Sequence, residues 1–194
     1  MAKYFVNVDI CLFMTELSLQ CDLAERAASR LEKARIGWLR EAPREHWNKP
    51  TPPINIVEDC HLLLLAAGIV SKILFGTSPL SKARGARLRE LMNLPDLPIL
   101  SDRAVRNSYE HIDERLDALS DQFPSGVSIC PLMVDEDEPA PNTIVLKRFC
   151  PRTMRVYFGD QYVELDQLIE ELKTIRAGIY TADSALDGVR EKLL

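Results

Sequence analysis

The stretch Arg106-Asn107-Ser108-Tyr109-Glu110-His111 puts an arginine, an asparagine and a histidine within about a turn and a half of one helix. A guanidinium suits phosphate because its planar fork donates two parallel hydrogen bonds. An imidazole suits proton transfer because it titrates near neutral pH. An asparagine can orient either the imidazole or a scissile phosphate. Together the three are enough to cut RNA without a metal. Asn107 and His111 are four apart and share a helix face. Arg106, five before His111, lies about 140° round the helix, an angle a long side chain can cross. The same residues equally make a solvated polar face. Arg106 can pair with Glu110 in ordinary i,i+4 fashion, and Glu110 or Glu114 with Arg103 or Arg115.

Helices must position this motif. A first helix is expected from about Asp9 to Glu41, where Leu12, Leu17, Leu19, Leu23, Ala27, Leu31, Ala34 and Trp38 recur at helical spacing. Pro43, Pro50, Pro52 and Pro53 prevent its continuation. A second helix, about Ile56 to Gly76, is apolar almost all round and belongs at the centre of the fold. A third, basic helix runs from about Ser81 to Met92. A loop from Asn93 to Leu100 leads to Ser101 and Asp102, either of which can cap a fourth helix from Asp102 to Gln122. That fourth helix carries the motif, and Pro124-Ser125-Gly126 ends it.

The pattern then changes. Val127 to Val134 is short and apolar, and Asp135 to Asn142 is an acidic, proline-containing loop. Thr143–Phe149, Met154–Phe158 and Tyr162–Leu165 read as three strands of a small antiparallel meander. A last helix begins near Asp166 and reaches Tyr180 or beyond. The expected fold is mainly α: a four- to five-helix bundle with a β-meander inserted before the C-terminal helix. We read residues 1–194 as a single domain, with the bundle over 9–122, the meander over 127–165 and the closing helix over 166–192.

Composition sets limits on function. The chain has 194 residues, 46% of them hydrophobic and 27% charged, the balance of a folded soluble protein. A net charge of −5 argues against a general nucleic-acid coat protein but leaves room for a local basic site. The start, Met1-Ala2-Lys3-Tyr4, reads as having no leader. The apolar run from Leu62 to Phe75, broken by Ser71 and Lys72, reads as a core helix rather than a membrane span. The five cysteines, Cys11, Cys21, Cys60, Cys130 and Cys150, form no C-x-x-C pair and read as reduced thiols of a cytoplasmic protein.

Arg106-Asn107 followed by His111, on the penultimate helix of a small α-bundle, resembles the R-x(4–6)-H signature of HEPN domains (higher eukaryotes and prokaryotes nucleotide-binding). The residue after the family's arginine is typically polar, as Asn107 is. The resemblance implies a metal-independent endoribonuclease or RNA-binding module. It also implies a homodimer whose two motif helices face each other across a cleft, with a toxin or defence role. Arg106 would bind and polarise the phosphate, His111 would assist attack by the ribose 2′-hydroxyl, and Asn107 would orient the pair. A cognate antitoxin or regulatory protein is an implied partner. The antitoxin-paired branch carries a tyrosine two residues after the histidine, where this chain has Asp113.

Other candidates are weaker. Lys82, Arg84, Arg87 and Arg89 make a basic patch that Arg103 and Arg106 could extend along an RNA backbone, or else a plain exposed face. His61 beside Glu58 and Asp59 reads as a hydrogen-bonded core histidine, since a single carboxylate–histidine pair is too little for a metal. No metal, cofactor or membrane partner is expected. His46 and Trp47 line a pocket or staple the proline-rich connection. Phe149, Tyr157, Phe158 and Tyr162 invite comparison with base-stacking platforms, although covering the bundle is the simpler role. The alternative reading of the whole chain is a non-catalytic helical-bundle protein that binds a protein partner.

Overall fold

A computed structural model describes residues 2–41, 54–102, 117, 128–130, 133–134, 143–158 and 161–191. Helix α1 spans Ala2–Glu41, α2 Ile54–Leu74, α3 Pro79–Leu91 and the single turn α4 Pro98–Ser101; α5, Leu165–Glu191, closes the chain. The strands are β1 Ser128–Cys130, β2 Met133–Val134, β3 Thr143–Val145, β4 Arg148–Cys150, β5 Arg155–Phe158 and β6 Gln161–Glu164. The protein is mainly helical, with a small antiparallel sheet ahead of the C-terminal helix.

Helix α2 occupies the centre because its apolar residues point in nearly every direction. Ile56, Leu63, Leu64, Ala67, Val70 and Leu74 are all at most 1% exposed. Helix α1 covers one side with Met14, Leu17, Cys21, Ala24, Ala27, Ala28 and Leu31. Arg30 meets Asp59, whereas Phe13 meets Arg84 at the far end of α2, so α1 and α2 run antiparallel. By length and composition α2 could cross a membrane. Its 21 residues exceed the expected apolar run, so shortness is no reason to read it as a core helix. The reason is that more than half of its residues are buried against its neighbours.

Helix α3 starts at Pro79, two residues ahead of the expected Ser81, because Ser78 caps it. The Ser78 hydroxyl accepts from the Ser81 N–H at 3.2 Å, and Pro79 takes a first-turn position where no N–H is needed. It ends in a Schellman arrangement. Asn93 turns left-handed at φ 48°, its N–H donates to the Glu90 carbonyl, and the Leu94 N–H donates to that of Arg89, both at 3.0 Å. The stretch expected to be loop up to Leu100 contains α4. The Ile99 and Leu100 amides each donate to the Glu171 carboxylate of α5 at 2.8 Å. The Ser71 hydroxyl of α2 donates to the Leu100 carbonyl at 2.7 Å. A distant carboxylate therefore does the work that a local cap would do.

Strands β4, β5 and β6 form the expected meander, with Phe149, Val156 and Val163 in register on its buried face. Two differences from the expected strands stand out. The run 143–149 is two strands, with a bend at Leu146. Also, β1 pairs with β3 and β2 with β4 in parallel, the register being the same from Ser128↔Thr143 to Met133↔Arg148. The expected fourth helix, 102–122, and the proline-rich connection with His46 and Trp47 lie outside the described residues, apart from Asp102 and Asp117.

Gly85 is the tightest point of the packing. A Cβ placed there would lie 2.1 Å from the Leu74 carbonyl oxygen, a backbone atom that cannot swing aside. Gly85→Ala should lower the urea unfolding midpoint by an amount equivalent to about 1–3 kcal/mol, despite the better helix propensity of alanine. An unchanged or raised midpoint would show that α3 can back away from α2 at no cost.

Candidate nucleic-acid interface

The basic residues of α3 divide into two pairs. Lys82 and Arg87 are exposed. Arg84 and Arg89 lie back over the end of α2. Arg84 Nη2 donates long bonds of 3.4 Å to the Lys72 and Ile73 carbonyls, and its guanidinium stacks 4.4 Å above the Phe13 ring. Arg89 Nη1 donates to the Leu74 carbonyl, and its guanidinium sits 4.7 Å above Phe75. The last carbonyls of a helix lack intrahelical partners and carry the negative end of its dipole, so cations here close the helix. Arg84 Nε is buried with no hydrogen-bond partner, so this guanidinium is held by its ring and carbonyl contacts. Of the expected basic patch, Lys82 and Arg87 are the side chains placed for an outside ligand.

Arg106, Asn107, His111 and Arg103 lie outside the described residues. What the structure describes is the element that leads into them. Turn α4 ends at Ser101, one residue before Asp102 and five before Arg106. It is fixed from two sides, by Glu171 at its amides and Ser71 at its carbonyl end.

The aromatic residues of the meander also divide. Phe149 and Phe158 are core, 0% and 4% exposed. Tyr157 and Tyr162 alternate with the buried positions and occupy the outer face, with ring centroids 5.5 Å apart. Arg148 lies 4.6 Å above Tyr157, and Arg155 lies 4.5 Å above Tyr162. Sequence reasoning grouped the four aromatics and omitted the two arginines. The signal that separates them is the alternation Arg155-Val156-Tyr157-Phe158, which puts Arg155 and Tyr157 on one face.

His61 is exposed on α2, and its pKa is lowered by partial burial and by the charge of Lys147. Its neighbour Asp59 is 4% exposed and accepts from Arg30 Nε at 2.8 Å, leaving Oδ2 without a hydrogen-bond partner. The described residues contain no cluster of His, Cys, Asp and Glu able to hold a metal. A hollow bounded by Cys21, Ala24, Leu63, Leu172 and Arg176 has room for about one water, not for an organic ligand. Cys11, Cys21 and Cys60 are free thiols. Burial pushes Cys21 and Cys60 up to about 12, which keeps both protonated and poorly nucleophilic. Comparison with known protein families, curated proteins and solved structures finds no match to this chain.

Glu171 gives this region a pH dependence. Burial raises its pKa above the ordinary 4.5; the Ile99 and Leu100 amides offset part of that, and Asp96 adds to it. The folded state therefore holds the proton more tightly than the unfolded chain. The contribution of Glu171 to stability is greatest below pH 4.5 and falls as pH rises from there through the folded pKa. Other carboxylates cancel when wild type is compared with Glu171→Gln. The stability difference, wild type minus variant, should decline with rising pH across that window. A difference that stays flat or grows would contradict the assignment.

Proposed function

We propose that the protein is a HEPN-like RNA-binding protein that cuts RNA without a metal, using Arg106 and His111. The observation that carries this reading is Arg106-Asn107 followed by His111, in a chain whose described part is a helical bundle. Arg106 binds and polarises the scissile phosphate. His111 takes the proton from the attacking 2′-hydroxyl, and Asn107 orients the pair. Lys82 and Arg87 are exposed and supply charge for the backbone beyond the cut. In this reading the protein is a cytoplasmic homodimer, with a toxin or defence role and a cognate antitoxin or other regulatory protein as partner.

A second reading is favoured by a different observation. Leu12 and Leu19 on α1 are 64% and 51% exposed, and Leu65 on α2 is 43% exposed. Large apolar side chains in water suit a surface that another protein covers. In that reading the bundle is an interaction module, and Arg106 and His111 are incidental.

Purified protein incubated with RNA in EDTA separates the two. Arg106→Ala and His111→Ala should each slow cleavage by about 100-fold or more, the scale at which positioned acid–base groups act. Wild-type cleavage that His111→Ala leaves intact would exclude the proposed chemistry. No cleavage of any RNA by wild type would favour the protein-binding reading.

A further inference from the structure

We infer that one flank of the α1–α2 pair is an interface with a second copy of this chain, related to the first by a two-fold axis. The inference concerns the exposed leucines and does not depend on the RNA reading. Leu12, Glu16, Leu19, Leu23, Arg26 and Arg30 fall three or four residues apart and form a single stripe along α1. Arg30, at one end of the stripe, reaches Asp59, so the stripe borders α2. On the other flank of α1, Asp22 and Glu25 are taken by Arg176 of α5. On α2, Leu62 and Ile69 follow Asp59 along the side that meets α1, and Leu65 lies beyond them towards solvent. The two helices thus present one apolar strip, in which Leu23, Leu62 and Ile69 are half-buried and Leu12, Leu19 and Leu65 are exposed.

The order of charges along the stripe chooses the occupant. Glu16 stands just before Leu19, and Arg26 just after Leu23. Glu16 accepts from a neutral amide, Gln20 Nε2, at 2.8 Å and keeps its charge, and Arg26 is exposed. A second copy laid antiparallel sets Leu19 against Leu23 of that copy and Glu16 against its Arg26, and by symmetry each contact occurs twice. Leu12 then packs on the aliphatic stem of Arg30 of the second copy. A parallel copy would set Glu16 against Glu16 and Arg26 against Arg26. A two-fold interface must be complementary to itself, and a stripe with one acidic and one basic end meets that condition when antiparallel. Helix α2 fits the same axis. Arg30 at Asp59, and Phe13 joined through Arg84 to Ile73, put the midpoint of the α1 stripe level with Leu65 to within about one helical turn. The axis that pairs α1 with α1 therefore brings Leu65 against its own copy, and the three exposed leucines leave water together.

The test is sedimentation equilibrium of the purified protein. Wild type should be a dimer in the micromolar range. Leu19→Glu, at an exposed position, should raise the dimer dissociation constant about 100-fold or more, because the two-fold buries the new charge twice. Glu16→Arg alone and Arg26→Glu alone set like charges face to face, and each should weaken the dimer about 10-fold or more. The double exchange, Glu16→Arg with Arg26→Glu, restores opposite charges and should recover the wild-type constant. Circular dichroism melts check that each variant keeps the fold. A wild type that stays monomeric throughout that range overturns the proposal, and the leucines then belong to a different partner. A dimer that Leu19→Glu leaves intact overturns it by placing the contact elsewhere. A double exchange no tighter than the single changes overturns it by excluding the antiparallel register.

Discussion

An apolar helix can only sit where other elements take it out of water, and α2 imposes that condition on every element around it. Each buried leucine-sized side chain along it is worth about 1.5–3 kcal/mol, so covering α2 outweighs any local preference of the surrounding segments. Helix α1 lies antiparallel along one side, α3 crosses the C-terminal end and α4 packs against α2 as well, while α5 packs on α1 and α4. The polar groups that α2 carries inward are answered by its neighbours. Asp59 receives Arg30, and Ser71 donates to the Leu100 carbonyl. Gly85 belongs to the same condition, since α3 reaches the Leu74 carbonyl only where no side chain intervenes.

Several of the described arginines are fasteners. Arg84 and Arg89 close the end of α2, and Arg30 neutralises the buried Asp59. Arg35 joins Glu32 to the Pro151 carbonyl of the β4–β5 turn, and Arg176 of α5 pairs with Asp22 and Glu25 of α1. Such pairs contribute little where exposed and more where a helix end or buried carboxylate would otherwise stand alone. A count of basic residues in a segment is therefore a poor guide to where a phosphate would bind. On α3, geometry halves the expected patch.

Helices α1, α2, α3 and α5 were legible in the sequence because their signals are local and repeated. The apolar spacing of Leu17, Ala27 and Leu31 and the loop that begins at Asn93 each act within a few residues, whereas the cap Ser78-Pro79 starts α3 two residues ahead of the expected Ser81. Turn α4 was read as loop because its cap is Glu171, about 70 residues away, and no local pattern announces a carboxylate from another helix. The parallel partners of β3 and β4 were missed for the same reason. A three-residue segment such as Ser128–Cys130 does not distinguish a strand from a turn until its register is known. The split of Tyr157 and Tyr162 from Phe149 and Phe158 was available in the period-two alternation, but the arginines that cover the two rings come from strand pairing.

Helix α3 and Lys147 stand at opposite ends of α2. Arg84 and Arg89, between which Arg87 lies in sequence, cap the helix at Lys72–Leu74, while the sheet side is marked by Lys147, whose charge acts on Cys60 and His61. Fourteen residues of helix separate Cys60 from Leu74, about 21 Å at the α-helical rise.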